Sequence, residues 1–73
     1  MNKFKIYKIF GKNIQKQRIK SNFTIEQLSL KTKINKNYLI KIESGKAKRI
    51  PFSYCLRIAN AINVEIALLF ENL

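Results

Sequence analysis

Side chains able to move protons, attack an electrophile or hold a metal are scarce in this chain: there is no histidine, one thiol at Cys55, and carboxylates only at Glu26, Glu43, Glu65 and Glu71. Acid–base catalysis and metal binding need such groups in close company, so an enzyme is not expected, nor a metal or cofactor, and with no second domain in so short a chain no small-molecule ligand is expected either. Cations are plentiful instead. Fifteen Lys and Arg give a net charge of +11. Residues 1–50 carry +12 and residues 51–73 carry −1, so the two parts have different work to do. A field of that size suits a polyanion, because exposed cations gain by displacing its condensed counterions.

The densest concentration of contact-making groups is INKNYLIKIESGKAKR, residues 34–49. With Asn35 as N-cap, a helix follows from Lys36, and Gly45 stands where helices commonly end in a left-handed residue. On a wheel of about 100° per residue, Leu39, Ile42 and Glu43 cluster on one side, while Asn37, Ile40, Lys41 and Ser44 share the opposite arc. Ile40 is therefore an apolar residue on the polar side. Lys46 to Pro51 reads as a basic loop.

The remaining elements must hold that helix in place. Ile6, Phe10 and Ile14 form an apolar stripe on a first helix, with Lys8, Lys12, Lys16 and Lys20 on another face, and Gly11 weakens it only modestly. Thr24 with Gln27 is a capping box that opens a two-turn helix burying Leu28, Ser29 and Thr32. A fourth helix after Pro51 presents Phe52, Cys55, Leu56, Ala59 and Ile62 as one stripe, with Asn63 as its left-handed stop. The fifth, near Glu65 to Glu71, carries Ile66, Leu69 and Phe70. Cys55 in that pattern is a buried small hydrophobe. The expectation is an all-α five-helix bundle in which residues 1–73 form one domain, since no repeat, linker or low-complexity run divides them. A chain this short hides only about 60% of its unfolded surface. No stretch approaches the roughly 20 apolar residues of a membrane span, and MNKFKIYKIFGKN alternates lysine with apolar residues. A soluble cytoplasmic protein with no membrane partner is expected.

Two short helices joined by a tight turn in a basic all-helical domain outline a helix-turn-helix. The residues sharpen that outline: Arg18 in the first helix, Glu26-Gln27-Leu28-Ser29, then Leu39, Ile42, Glu43 and Gly45 closing the third helix, and Ile58 to Val64 closing the fourth. In this order and spacing they resemble the Cro and phage-repressor type, the lambda-repressor-like helix-turn-helix family, over about residues 10–70. The resemblance implies a compact five-helix bundle whose third helix enters the major groove, a homodimer, and a transcription regulator of double-stranded DNA. Phage repressor, mobile-element regulator and restriction-modification controller all fit; a protein-interaction module such as an antitoxin on the same fold is the alternative. It also implies that Arg18 and Glu43 form a structural ion pair. The sequence departs from the pattern at Lys33, where relatives usually have the turn glycine, and at Ile25, where a glutamine is common.

On that frame the outward arc becomes a reading surface. Asn37 suits adenine, Lys36 and Lys41 suit guanine or phosphate, and Ile40 suits a thymine methyl, the alternative being that it packs beneath lysine stems or at a helix junction. Thr24, Ile25 through its backbone N–H, Asn35 and Ser44 complete the contact set, and Lys46, Lys48 and Arg49 grip the phosphates. Ile66, Leu69 and Phe70 lie in an end free of Lys and Arg and more apolar than one short helix can bury, which makes them the expected dimer interface.

Overall fold

The computed structural model describes residues 2–73. Four α-helices, α1 (Lys3–Lys20), α2 (Ile25–Thr32), α3 (Lys36–Glu43) and α4 (Phe52–Ala61), precede a short 3₁₀ helix at Ile66–Phe70. There is no strand among the described residues. The fifth expected α-helix is thus a 3₁₀ turn: it has five residues and no side-chain cap, and Leu68 N–H donates to the Glu65 carbonyl three residues back. So short a segment between extended flanks cannot establish the i→i+4 ladder.

Local capping sets the starts of the first three helices. The Asn2 side chain accepts from Lys5 N–H and opens α1. Thr24 Oγ1 accepts from Gln27 N–H at 3.0 Å while Gln27 Oε1 accepts from Thr24 N–H at 2.9 Å, a complete capping box on α2. Asn35 Oδ1 accepts from Asn37 N–H and Tyr38 N–H and opens α3.

Lys33 takes the left-handed conformation, φ 60°, that a glycine would adopt freely. Side chains on both sides hold this turn. Ser29 Oγ donates to the Ile34 carbonyl at 2.6 Å, Ile34 N–H donates to Thr32 Oγ1, and Thr32 Oγ1 donates to the Leu28 carbonyl. Arg57 donates from Nε and Nη2 to the Thr32 carbonyl and lies over the Tyr54 ring. The turn thus keeps its shape without glycine, against a backbone penalty of about 1–3 kcal/mol.

Ile14, Leu28, Ile34, Leu39, Ile42, Ile58 and Leu69 form the fully enclosed centre of the core. α1 packs on α3 and on the 3₁₀ helix, and α2 packs between α3 and α4. Two expectations are corrected here. Gly11 does more than weaken α1: a β-carbon there would sit 2.7 Å from the Glu43 carbonyl oxygen and collide with that of Ile42, so α1 crosses the end of α3 in direct backbone contact. On α4, Phe52 and Leu56 are exposed, and Cys55, Ile58, Ala59, Ala61 and Ile62 face inward. α4 is rotated toward Ile58 because it must meet α2 on one side and the 3₁₀ helix on the other. Ile6 and Ser29 are half-buried, at the margin of the core.

Candidate nucleic-acid interface

α3 lies across α2 with Leu39 and Ile42 buried, and its opposite side, Asn37, Ile40, Lys41 and Ser44, is exposed. These are the residues the wheel places outward. Asn37 projects from the first turn of α3 with its backbone N–H already held by the Asn35 cap, so its amide is presented on an ordered turn. Asn35 is exposed, but its oxygen is engaged in that cap. Thr24 is likewise exposed with its hydroxyl oxygen engaged. Ile25 is the first residue of α2, where a backbone N–H has no intrahelical acceptor.

Lys36 stands differently from its neighbours. Its Nζ is 2.9 Å from Glu26 Oε2 across the helix-turn-helix, and the lysine's hydrogen bond holds the Glu26 carboxyl below its ordinary value. Both side chains are open to water, so the pair is weak and exchangeable, yet it removes one free cation from the face.

Ile40 is 45% exposed. Its remaining surface lies in a shallow depression shared with Ile25, Gln15 and Ser44, floored by Arg18 and Glu43. The isoleucine thus borders the depression together with Ile25 and leaves nearly half of its surface open, an apolar group at the edge of the face. Gln15 was not singled out from sequence; its position on α1 gives no signal until α1 is laid beside α3.

The floor is the expected ion pair. Arg18 Nε donates to Glu43 Oε2 at 2.7 Å and Nη2 donates to Oε1 at 2.9 Å, a bidentate fork with side chains only 13% and 7% exposed. Arg18 Nη1 also donates to the Phe23 carbonyl at 2.8 Å. Hydrogen bonding to Glu43 raises the Arg18 guanidinium above its ordinary value despite the opposing effect of burial.

Beyond Ser44 the chain turns at Gly45, φ 79°, and Ala47 drops into the core while Lys46 and Ala47 N–H groups both donate to the Lys41 carbonyl. Ala47 therefore pins the loop, with Lys46 and Lys48 exposed on either side of it and Arg49 exposed beside them in a left-handed conformation. The pinning alanine was also missed in the sequence, where it reads as one small residue among cations.

The acidic end departs from expectation at Leu69. Its side chain is 0% exposed, so it belongs to the protomer core and cannot itself meet a partner. Ile66 is half-buried, and Phe70, 38% exposed, lies between the tilted ring of Phe10 at 5.1 Å and the stacked ring of Phe52 at 6.4 Å. Phe52, Leu56 and Leu73 are exposed around it, so the apolar surface is built from α4 as much as from the 3₁₀ helix. Among the described residues no group of His, Cys, Asp and Glu has a metal-binding arrangement, and no helix is long and apolar enough to cross a membrane.

A family model described as a helix-turn-helix domain matches residues 11–72. Comparison with curated proteins gives no match. Among solved structures, the restriction-modification controller protein C.AhdI from Aeromonas hydrophila superposes with a TM-score of 0.83 at 22% identity, over 88% of this chain and 96% of that one. At that identity the likeness is one of fold.

Proposed function

The chain belongs to the helix-turn-helix domain family, and from that premise we propose that it is a DNA-binding transcription regulator which binds a pseudo-palindromic operator in double-stranded DNA as a two-fold dimer. A phage or mobile-element repressor and a restriction-modification controller are the roles such a chain fits, and the fold is shared with a controller protein. The observation that carries the reading is the outward face of α3. It is ordered, bears Asn37 and Lys41 free of carboxylates, and is flanked on one side by the start of α2 and on the other by the basic loop 46–49. A helix so framed enters a major groove about 12 Å wide, with α2 and the loop left to meet the phosphates.

Selection from a random duplex pool tests this directly. Enrichment of an inverted repeat with half-site centres about 10 base pairs apart is expected, and a pool that stays random would defeat the proposal. On the selected site, Asn37→Ala should lose about 1–3 kcal/mol while binding to random duplex barely changes. Ile40→Ala should relax thymine-over-uracil discrimination by about 1 kcal/mol at one position per half-site. Unchanged discrimination would return Ile40 to a packing role.

The dimer draws its support from Phe52, Leu56, Phe70 and Leu73, an exposed apolar group in the segment that lacks Lys and Arg apart from Arg57. Two copies can meet there without bringing their basic faces together. Sedimentation equilibrium should give a dimer at micromolar concentration for the wild type and a monomer that keeps its helical circular dichroism, with a melting temperature independent of concentration, for Phe52→Asp with Leu73→Asp. A wild-type monomer that binds one half-site as tightly as the palindrome would refute the dimer and leave this surface for a partner protein.

A further inference from the structure

The contact set above uses no cation of α1, yet α1 is docked beside the basic loop. A β-carbon at Gly45 would fall 2.8 Å from Lys8 Cγ and 2.9 Å from Lys8 Cα, so α1 lies directly against the turn that ends α3. One turn earlier, the exposed Phe4 ring carries Lys48 Nζ 5.6 Å from its centroid. Arg49 borders a groove with Ile6 and Tyr7. The segments 3–12 and 46–49 thus form one surface, and neither contains an acid. Glu43, the carboxylate nearest the loop in sequence, is closed off by Arg18.

Lys5, Lys8 and Lys12 stand on this side of α1 at i, i+3 and i+7, all exposed. Such spacing sets like charges side by side, an arrangement unfavourable by a few tenths of a kcal/mol for each pair. Lys3 and Lys5 also load positive charge onto the helix end that is already positive, with no acid in the first turn. The isolated protein gains nothing from this stripe; an anion laid along it would relieve all of these repulsions. The residues matched by the family model begin at 11, so Lys5 and Lys8 lie on two helical turns outside the matched region. A bilayer is a poor occupant, because Phe10 and Ile14, the apolar stripe of α1, are already in the core.

We propose that Lys5, Lys8 and Lys12 form a second phosphate-binding arm that continues the grip of Lys46, Lys48 and Arg49 along the DNA backbone. This rests on the DNA-binding reading above and extends its footprint beyond the end of α3. Phosphate contacts of this kind add affinity without reading sequence. The triple substitution Lys5→Gln, Lys8→Gln, Lys12→Gln retains helix propensity, and the corresponding triple change to Arg retains charge.

Binding to the selected operator and to random duplex is measured across a salt series for the wild type and both variants, with thermal melting as the folding control. The Gln variant should reduce the slope of log K against log salt by about 2.7 per bound copy, roughly 0.9 for each lysine. It should weaken both DNAs by the same factor, and the Arg variant should restore wild-type behaviour. A Gln variant with the wild-type slope and affinity, beside a wild type that itself binds with a steep slope, overturns the arm and leaves the DNA reading intact. A wild type with no salt-dependent DNA binding overturns both. Loss of binding to phosphatidylserine vesicles with an unchanged DNA slope overturns the arm in favour of a membrane surface.

Discussion

Raising salt from about 50 to about 200 mM is expected to weaken DNA binding on the order of 10⁴-fold, through the α3 face and its loop alone. The figure follows from counting cations that the structure leaves available. Among the described residues Lys41, Lys46, Lys48 and Arg49 are exposed and outside any ion pair, whereas Lys36 shares an exchangeable pair with Glu26 and is left out of the count, and Arg18 is held by Glu43. Four contacts per protomer make about eight for a dimer, and at roughly 0.9 counterions each the slope of log K against log salt is about −7. Participation of Lys5, Lys8 and Lys12 would steepen it to about −13. Replacing Glu26 by Gln adds a further check, since it frees Lys36 and removes a negative charge from the first turn of α2. A titration of equilibrium binding against salt measures the slope. A slope near zero would eliminate DNA as the main partner, because so basic a face cannot approach phosphates without releasing ions.

How much of this was legible in the sequence follows from the range over which each feature is decided. Thr24 with Gln27, Asn35, Gly45 and Asn63 were readable because a cap or a left-handed stop is settled within three or four residues. The outward face of α3 was readable because its inward side has only Leu39 and Ile42 to offer the core. α4 was misread for the opposite reason. It carries apolar side chains on more than one face, and periodicity cannot choose between Phe52 with Leu56 and Ile58 with Ala61. Packing against α2 and the 3₁₀ helix chooses, and that choice moved the exposed apolar surface onto α4 and left Leu69 inside. Gly11 was invisible as a contact residue because its partners, the carbonyls of Ile42 and Glu43, are some thirty residues away. Lys33 stands out in the sequence as a departure from the usual turn glycine, because the bonds from Ser29, Thr32 and the distant Arg57 that close the turn around it form only in the fold.

Arg18→Ala and Glu43→Ala should each destabilise the fold by about 3–5 kcal/mol, the effect of leaving one member of a buried charge pair without its partner. The fork joins α1 to the last residue of α3, and its third arm holds the Phe23 carbonyl in the α1–α2 connection. Gly11 brings the α1 backbone onto the Ile42 and Glu43 carbonyls, so the two helices meet closely beside the pair. The edges of the pair reach the shallow depression under Ile40, which moves the expected loss toward the lower end of the range. Even that is large for 73 residues, since a domain of this size has roughly 4–11 kcal/mol of stability in all. Both single variants should therefore be substantially unfolded when warmed, and their weak DNA binding should recover on cooling. The double replacement Arg18→Met with Glu43→Leu should lose much less than the sum of the two alanine variants, because no orphaned charge remains in the junction. Urea denaturation of wild type, both single variants and the double variant gives the coupling directly. If each single substitution loses less than about 1 kcal/mol, as an exposed ion pair would, while operator binding at low temperature falls sharply, Arg18 belongs to the DNA contacts and the scaffold assignment is wrong.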